Sequence, residues 1–578
     1  MKRLLALLLL AVLIPLAAHA ATTPPNILIV LVDDAGYGDF SCHGHPFLKT
    51  PHIDRLHSES VRLTDFHVAP MCSPTRGQLL TGCHGLRTGV TSVTAGRTFL
   101  RPEFPTAPQM FRQAGYATGL FGKWHLGDSY PHRPMDKGFQ AAYWARGWGF
   151  ASAPEYGNNL IDGRMIRGEQ TETFKGYVTD VCFDEAMKWM TAQKTAAKPF
   201  FCYLPLHAAH GPHIVPPKYL EMFADKKAPG FFGMLANIDE NMGRLETFLA
   251  ASGLKDDTIV IFLTDNGGTS GVPIHNAGMR GGKVTYWEGG HRVPCFIRWP
   301  AGHLRTAGDL PHLTQVQDLL PTLLSLSGVP RSEGPAFDGT DLSPLLRGQS
   351  DRLAERTLIV QYGPGAGQKN TVGPKKFEAA VMRDRWRLLE GEALYDVVAD
   401  RHQDKDVAAQ HPEIVARLRA DYEAWWKNVE PRLNEFVPMS LGSEKEPSVE
   451  MSSSDWQGMY VDNSGHINNA AGGPRGGAFN VQIERAGEYE FVLRRWPTAL
   501  ALPLDGKPDS VAEAKALPIT RAKLSIAGQE YAAQAAPGAQ SITIKATVPA
   551  GRTQLQAWFQ DKDGNDLSGA FYVRATLR

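Results

Sequence analysis

Two pairs of hard oxygen donors close two apolar runs in this sequence. Residues 26–32 (NILIVLV) end in Asp33-Asp34, and residues 257–264 (DTIVIFLT) end in Asp265-Asn266. Unbroken apolar runs suit strands buried on both faces of a parallel sheet, and open α/β sheets bind ligands at the carboxyl ends of such strands. Four such side chains can converge on one hard cation. Oxygen-only donors suit Ca²⁺ or Mg²⁺ better than zinc or copper. Either pair alone also fits turn chemistry, because Asp and Asn cap turns and helices. A third feature lies between them, Cys72-Ser73-Pro74-Thr75-Arg76. Pro74 is expected to bias Ser73 towards extended geometry and so present the Cys72 thiol.

These residues need a scaffold. A third apolar run, 199–206 (PFFCYLPL), alternates along the chain with helical stretches at 234–251, 315–326 and 412–426. Strands alternating with helices predict an α/β fold, a large mixed or mostly parallel sheet flanked by helices. The character changes near residue 440. Residues 438–455 are rich in Ser, Glu and Pro and read as a linker. Beyond them, 478–485, 488–494 and 553–559 alternate apolar with polar between turns such as Asp505-Gly506 and Asp563-Gly564, which predicts a β-sandwich-like domain. The expected division is 21–436 for the α/β region with its own C-terminal subdomain, 437–455 for the linker, and 456–578 for a β-rich accessory domain.

Composition narrows the function. The 578 residues carry 60 Lys+Arg and 60 Asp+Glu, which argues against a general basic field that coats nucleic acid. Lys2 and Arg3, then an apolar stretch from Leu4 to Ala18, then Ala18-His19-Ala20, read as a secretory signal occupying 1–20. The stretch falls short of the ~20 apolar residues a spanning helix needs. The expectation is an exported protein, periplasmic or secreted, with no membrane attachment after cleavage. Six cysteines (Cys42, Cys72, Cys83, Cys182, Cys202 and Cys295) could form three disulfides in that setting, but their spacings match no zinc pattern.

Residues 71–82, MCSPTRGQLLTG, resemble the formylglycine-dependent sulfatases of the alkaline-phosphatase-like superfamily. Other stretches match in family order: PNILIVLVDDAGYGD at 25–39, TPHIDRLHSESVRLTDF at 50–66, GKWHLG at 122–127, HGPH at 210–213 and TDNGG at 264–268. GGK at 281–283, EGGHRVP at 288–294 and LYDVVADRHQDKDVA at 394–408 complete the set, so the resemblance spans about 25–430.

The resemblance implies a sulfuric ester hydrolase acting on a sulfated carbohydrate or aryl sulfate. A maturation enzyme would oxidise Cys72 to formylglycine, whose hydrate attacks sulfur to give a sulfated enzyme that a base then collapses. Asp33, Asp34, Asp265 and Asn266 would bind Ca²⁺. His125 would be the base and His210 the acid. Lys123 and Lys283 would hold sulfate oxygens, and Arg76 would steady residue 72 and the metal cluster. His207 and His213 read as pocket wall or packing, and Asp39 as structural.

Two positions depart from the family. Gly77 stands where many relatives have Ala or Ser, and Cys83-His84 where Arg and Tyr are common, a change that could alter the pocket rim or permit a disulfide. Two other readings fit the same residues. One is a phosphonate monoester or phosphodiester hydrolase using the same nucleophile. The other is a non-catalytic binder of sulfated glycans relying on the C-terminal domain.

Overall fold

The computed structural model describes residues 24–363, 373–457, 459–468 and 474–578. The expected signal at 1–20 lies outside them. Among the described residues no helix is long and apolar enough to cross a membrane.

The apolar run at 26–32 is strand β1 (Asn26–Val32), every residue of which is buried. Nine further strands join it: β2 (Val61–His67), β3 (Ala117–Lys123), β4 (Ala141–Ala145), β5 (Arg164–Arg167), β6 (Gln170–Thr173), β7 (Phe200–Pro205), β8 (Thr258–Thr264), β9 (Cys295–Arg298) and β10 (Gly308–Gln315). Their spatial order is β10-β2-β9-β8-β1-β7-β3-β4-β5-β6. The sheet is mixed: β8, β1, β7, β3 and β4 run parallel, while β9 pairs antiparallel with both β2 and β8.

Both faces of β1 are covered, which is why its sequence shows no polar alternation. Leu28, Val30 and Val32 pack into one core with the helices Pro51–Ser58, Val178–Thr195 and Pro229–Ala251. Ile27, Ile29 and Leu31 pack into the opposite core with Cys72–Thr81, Ala107–Gln113 and Leu319–Ser327. The helix expected at 315–326 starts only at Leu319. Before it the chain is still strand to Gln315, then a turn closed by the Asp318 carboxylate accepting from Gln315 N at 2.8 Å.

A four-stranded antiparallel sheet follows, β11 (Leu358–Val360), β12 (Ala380–Arg383), β13 (Trp386–Leu389) and β14 (Ala393–Asp396), packed on the helix Pro412–Val429. The remaining strands are β15 (Met439–Leu441), β16 (Ser448–Ser452), β17 (Phe479–Ile483), β18 (Gly487–Arg494), β19 (Arg521–Ile526), β20 (Gln529–Gln534), β21 (Ile542–Val548), β22 (Gly551–Gln560), β23 (Asp566–Gly569) and β24 (Tyr572–Leu577). They form two sheets, β15-β17-β22-β19-β20 with β23 beside β22, and β16-β24-β18-β21, which share one apolar core. The expected linker at 437–455 is not one. It contains β15 and β16, and Val449 and Met451 of β16 are buried while Ser448 at its start is exposed. The polar residues of that stretch disguise a half-buried strand.

Candidate active site

β1 and β8 are parallel neighbours with Val32 opposite Thr264, so Asp33-Asp34 and Asp265-Asn266 leave the sheet side by side at the same end. β3 ends there in Lys123, two residues before His125, and the segment after β7 brings His207 and His210. The helix Cys72–Thr81 starts at Cys72, and Arg76 lies one turn along it, fully buried. The ten residues singled out by sequence meet at this one place.

Arg76 is the hub. Its Nη2 and Nε donate to Asp265 Oδ2 at 2.7 and 3.1 Å, Nη2 also reaches Asp33 Oδ2 at 3.3 Å, and Nη1 donates to the Lys123 carbonyl at 2.7 Å. The Lys123 ammonium donates to Asp33 and that of Lys283 to Asp34, while Asn266 Nδ2 donates to Asp34 Oδ1 at 3.0 Å. The thiol of Cys72 and carboxylate oxygens of Asp33 and Asp265 lie within 4.8 Å of one another.

Charge is crowded here. Burial would raise the Asp33 carboxyl, but Lys123, His210 and Arg76 hold it well below the usual carboxylate range. Burial, and then the neighbouring Asp33, push Asp265 up to about 6. Burial alone would lower the Lys283 ammonium, yet Asp34 raises it above its ordinary value. Burial also raises the Cys72 thiol, against the pull of Lys123 and Lys283.

The donor set fits a cation. Asp33 Oδ1 and Asn266 Oδ1 are buried without a hydrogen-bond partner. Such orphaned acceptors are costly unless something electropositive meets them. Asp265, raised by burial and then by its like-charged neighbour, would return to full ionisation beside a divalent ion. The backbone is also strained: Asp34, His125 and Val284 have φ of 60°, 59° and 69°. Non-glycine residues rarely adopt such angles, and they cluster at functional sites.

The histidines differ. His125 Nε2 lies 3.0 Å from the Val93 carbonyl, which only accepts, so Nε2 carries the proton. Nδ1 is then a buried, unpartnered lone pair. Burial, then Lys123, hold this imidazole well below 6.5, so it is a free base. His210 Nδ1 donates to the Gly211 carbonyl at 2.8 Å, and its Nε2 faces Asp34 Oδ2 at 3.8 Å. Burial lowers it too, with Asp34 acting in the opposite direction. His207 is buried against Phe150, and His213 packs edge-on to Phe231. Asp39 accepts from Gly36 N at 2.7 Å and shapes the turn after β1.

Three expectations change. Ser73 is helical, not extended: Pro74 sits in the first helical turn, where no backbone partner is lost, and Ser73 Oγ donates to the His125 carbonyl. All six cysteines are unpaired thiols. Cys83-His84 does not rim the pocket. His84 Nδ1 accepts from Leu86 N, capping the short helix Gly85–Thr88, and its ring packs on Trp425. Sequence reasoning missed Trp148, whose ring lies 4.8 Å from that of His210, and the Val93 carbonyl that sets the His125 tautomer. Neither stands in a motif; only the fold brings them near.

A mixed sheet with charged residues gathered at its carboxyl end defines an alkaline-phosphatase-like hydrolase fold, and comparison with known proteins gives the family. The Sulfatase family model matches residues 25–329. Arylsulfatase A of Homo sapiens is 34% identical over 457 residues, covering 71% of this chain and 85% of that one. N-acetylgalactosamine-6-sulfatase of Sus scrofa is 32% identical, covering 60% and 70%. The solved structure of Ps i-CgsB in complex with k-i-k-neocarrahexaose superposes with a TM-score of 0.62 at 25% identity, covering 70% of this chain and 92% of that one. The chain belongs to the sulfatase family and is a sulfuric ester hydrolase.

Proposed function

We propose that this enzyme is exported and removes sulfate from a sulfated carbohydrate by covalent catalysis at residue 72, after a maturation enzyme has converted Cys72 to formylglycine. The observation that carries the reading is the approach of the Cys72 thiol to Asp33 and Asp265 within 4.8 Å, beside two ammoniums and a buried guanidinium. As formylglycine, this residue supplies a hydrated aldehyde whose oxygen is the nucleophile towards sulfur. Asp33, Asp34, Asp265 and Asn266 would hold Ca²⁺, which supplies positive charge opposite a sulfate oxygen.

The chain's own residues do the rest. Lys123 and Lys283 bind sulfate oxygens and offset charge that grows during transfer. Arg76 fixes Asp33 and Asp265 in place through its planar fork. His125 takes a proton at Nδ1, the nitrogen that the Val93 carbonyl leaves free. His210 delivers one from Nε2 to the departing alcohol oxygen. Nδ1 is committed to the Gly211 carbonyl, so His210 acts as an acid only when doubly protonated, a state that Asp34 and an arriving anion favour. With His125 held below 6.5 by burial, the acid limb of the rate profile is expected below that pH.

Carbohydrate as the substrate class draws on the relatives: one is named for N-acetylgalactosamine 6-sulfate, and one solved structure holds a neocarrahexaose. The test compares kcat/KM for an aryl sulfate and an aryl phosphodiester on aldehyde-confirmed protein. Faster sulfate hydrolysis is expected, and faster phosphodiester hydrolysis would replace this reading with the phosphodiesterase one.

A further inference from the structure

The C-terminal sheets reach the active site. Ser454 O accepts from Ala95 N at 2.9 Å, Asp462 O accepts from Ala153 N at 2.6 Å, and Ser152 bridges to Asn463. The two loops held this way also hold the histidines: Val93 accepts from His125, and Trp148 packs on His210. Tyr460 lies close enough to Lys283 for that ammonium to act on its phenol, although burial and Asp462 raise it overall.

Between these elements lies a cavity of about 420 Å³, walled by Asp128, Arg146, Glu155, Asp455, Thr498 and Arg574 among others. A narrower crevice shares Asp128 and Asp455 as walls and extends to His125 and Trp148. The volume is within the range of about 300–1,000 Å³ typical of small-molecule sites. Its walls hold unspent hydrogen-bonding capacity. Ser452 Oγ on the cavity, and Ser454 Oγ and Trp148 Nε1 on the crevice, are buried without a partner. Ser452 and Ser454 are only 5% and 9% exposed. Unpaired buried polar groups beside an open cavity call for a polar occupant.

The charge says which kind. The lining holds four carboxyls and three guanidiniums, and Arg574 is already paired with Glu450 at 2.9 Å. A second sulfate would face carboxyls with no excess of cations. Closely spaced donors and acceptors without net positive charge match the hydroxyls of an uncharged sugar.

We propose that this cavity is a subsite for a neutral sugar unit adjoining the sulfated one, so that the C-terminal sheets make the enzyme select an oligosaccharide over a monosaccharide sulfate. The inference rests on the sulfated-carbohydrate reading and adds which neighbour the substrate carries and which part of the chain reads it. Ala499 is exposed on the cavity wall, away from the histidines, so Ala499→Trp fills the space without touching the site that handles sulfate. Asp455→Ala removes a polar group from the wall that could bond a sugar hydroxyl.

The probes are 4-nitrocatechol sulfate, a panel of monosaccharide sulfates, and the same sulfated units joined to one neutral sugar. Wild-type enzyme is expected to prefer the disaccharides in kcat/KM, and each variant to lose about tenfold on them while keeping aryl-sulfate turnover within about twofold. Equal turnover of mono- and disaccharides by wild type, or unchanged disaccharide turnover in Ala499→Trp, would overturn the subsite while the sulfatase reading stood. Absence of aryl-sulfate turnover in wild type would overturn both.

Discussion

Two buried clusters in this protein are built from the same residue types, and only one has the makings of a catalytic centre. The first is the site at the end of β1 and β8. The second joins β2 to the four-stranded sheet. There Arg387 of β13 donates to Glu288 at 2.8 Å and to both oxygens of Asp65 at 2.9 and 3.1 Å, and Arg292 donates to Glu288 at 3.0 Å. His67 bridges Asp65 and His291 at 2.9 Å each, and His291 reaches the Tyr286 carbonyl at 3.0 Å. By residue type, His67, Glu288 and His291 look like metal ligands as much as Asp33, Cys72 and Asp265 do. The difference is satisfaction. In the second cluster every one of these side-chain groups has a partner. In the first, Asp33 Oδ1, Asn266 Oδ1 and His125 Nδ1 do not. A fully paired charge network serves as a structural joint, whereas open valences and strained backbone mark a place kept ready for a ligand.

Breaking each cluster should therefore have opposite consequences. Asp34→Ala is expected to lower turnover by roughly 10³-fold or more, the scale on which losing a preorganised charge partner acts, with thermal unfolding nearly unchanged. Steady-state kinetics beside a melting curve checks it, and normal turnover after chelation and gel filtration would remove Asp34 from the site. Arg387→Met should do the reverse. Leaving Asp65 and Glu288 buried and unpaired is expected to cost about 3–5 kcal/mol, measured by denaturant unfolding, while turnover per folded molecule is kept.

Acid sharpens the same contrast. Burial alone would raise Asp65 and Glu288, but Arg387 holds both well below their ordinary 3.8 and 4.5. Their contribution is thus complete above about pH 4.5 and is lost as pH falls through the lowered folded-state values. Unfolding free energy of the wild type should decline below that pH, and Arg387→Met should lack most of the slope. The smallest effect is expected at Gly77, in the helix that Cys72 begins. A Cβ at Gly77 would sit 3.1 Å from Val90, so Gly77→Ala sets helix propensity against crowding and should change stability by no more than about 1 kcal/mol.

What could be read in advance follows from chain distance. β1 shows itself because both its faces are buried, leaving a run of six apolar residues, Ile27 to Val32, that ends at Asp33-Asp34. The site residues could be assembled because each stands in a local motif. Asp65, Glu288 and Arg387 stand in none that joins them, so their network was invisible. β16 was hidden by the Ser and Glu residues around Val449 and Met451. Ser73 is helical rather than extended because the restriction a proline places on its predecessor does not govern the first turn of a helix. Trp148 and Tyr460 have meaning only through what the fold sets beside them.

Residue 72 is the proposed point of ester cleavage. The most direct measurement is aryl-sulfate turnover by Cys72→Ala, coexpressed with the maturation enzyme and shown by circular dichroism to be folded. Turnover is expected to fall at least about 10³-fold, since the remaining charges can bind sulfate but supply no nucleophile. Turnover within a few fold of wild type would contradict covalent catalysis at this residue.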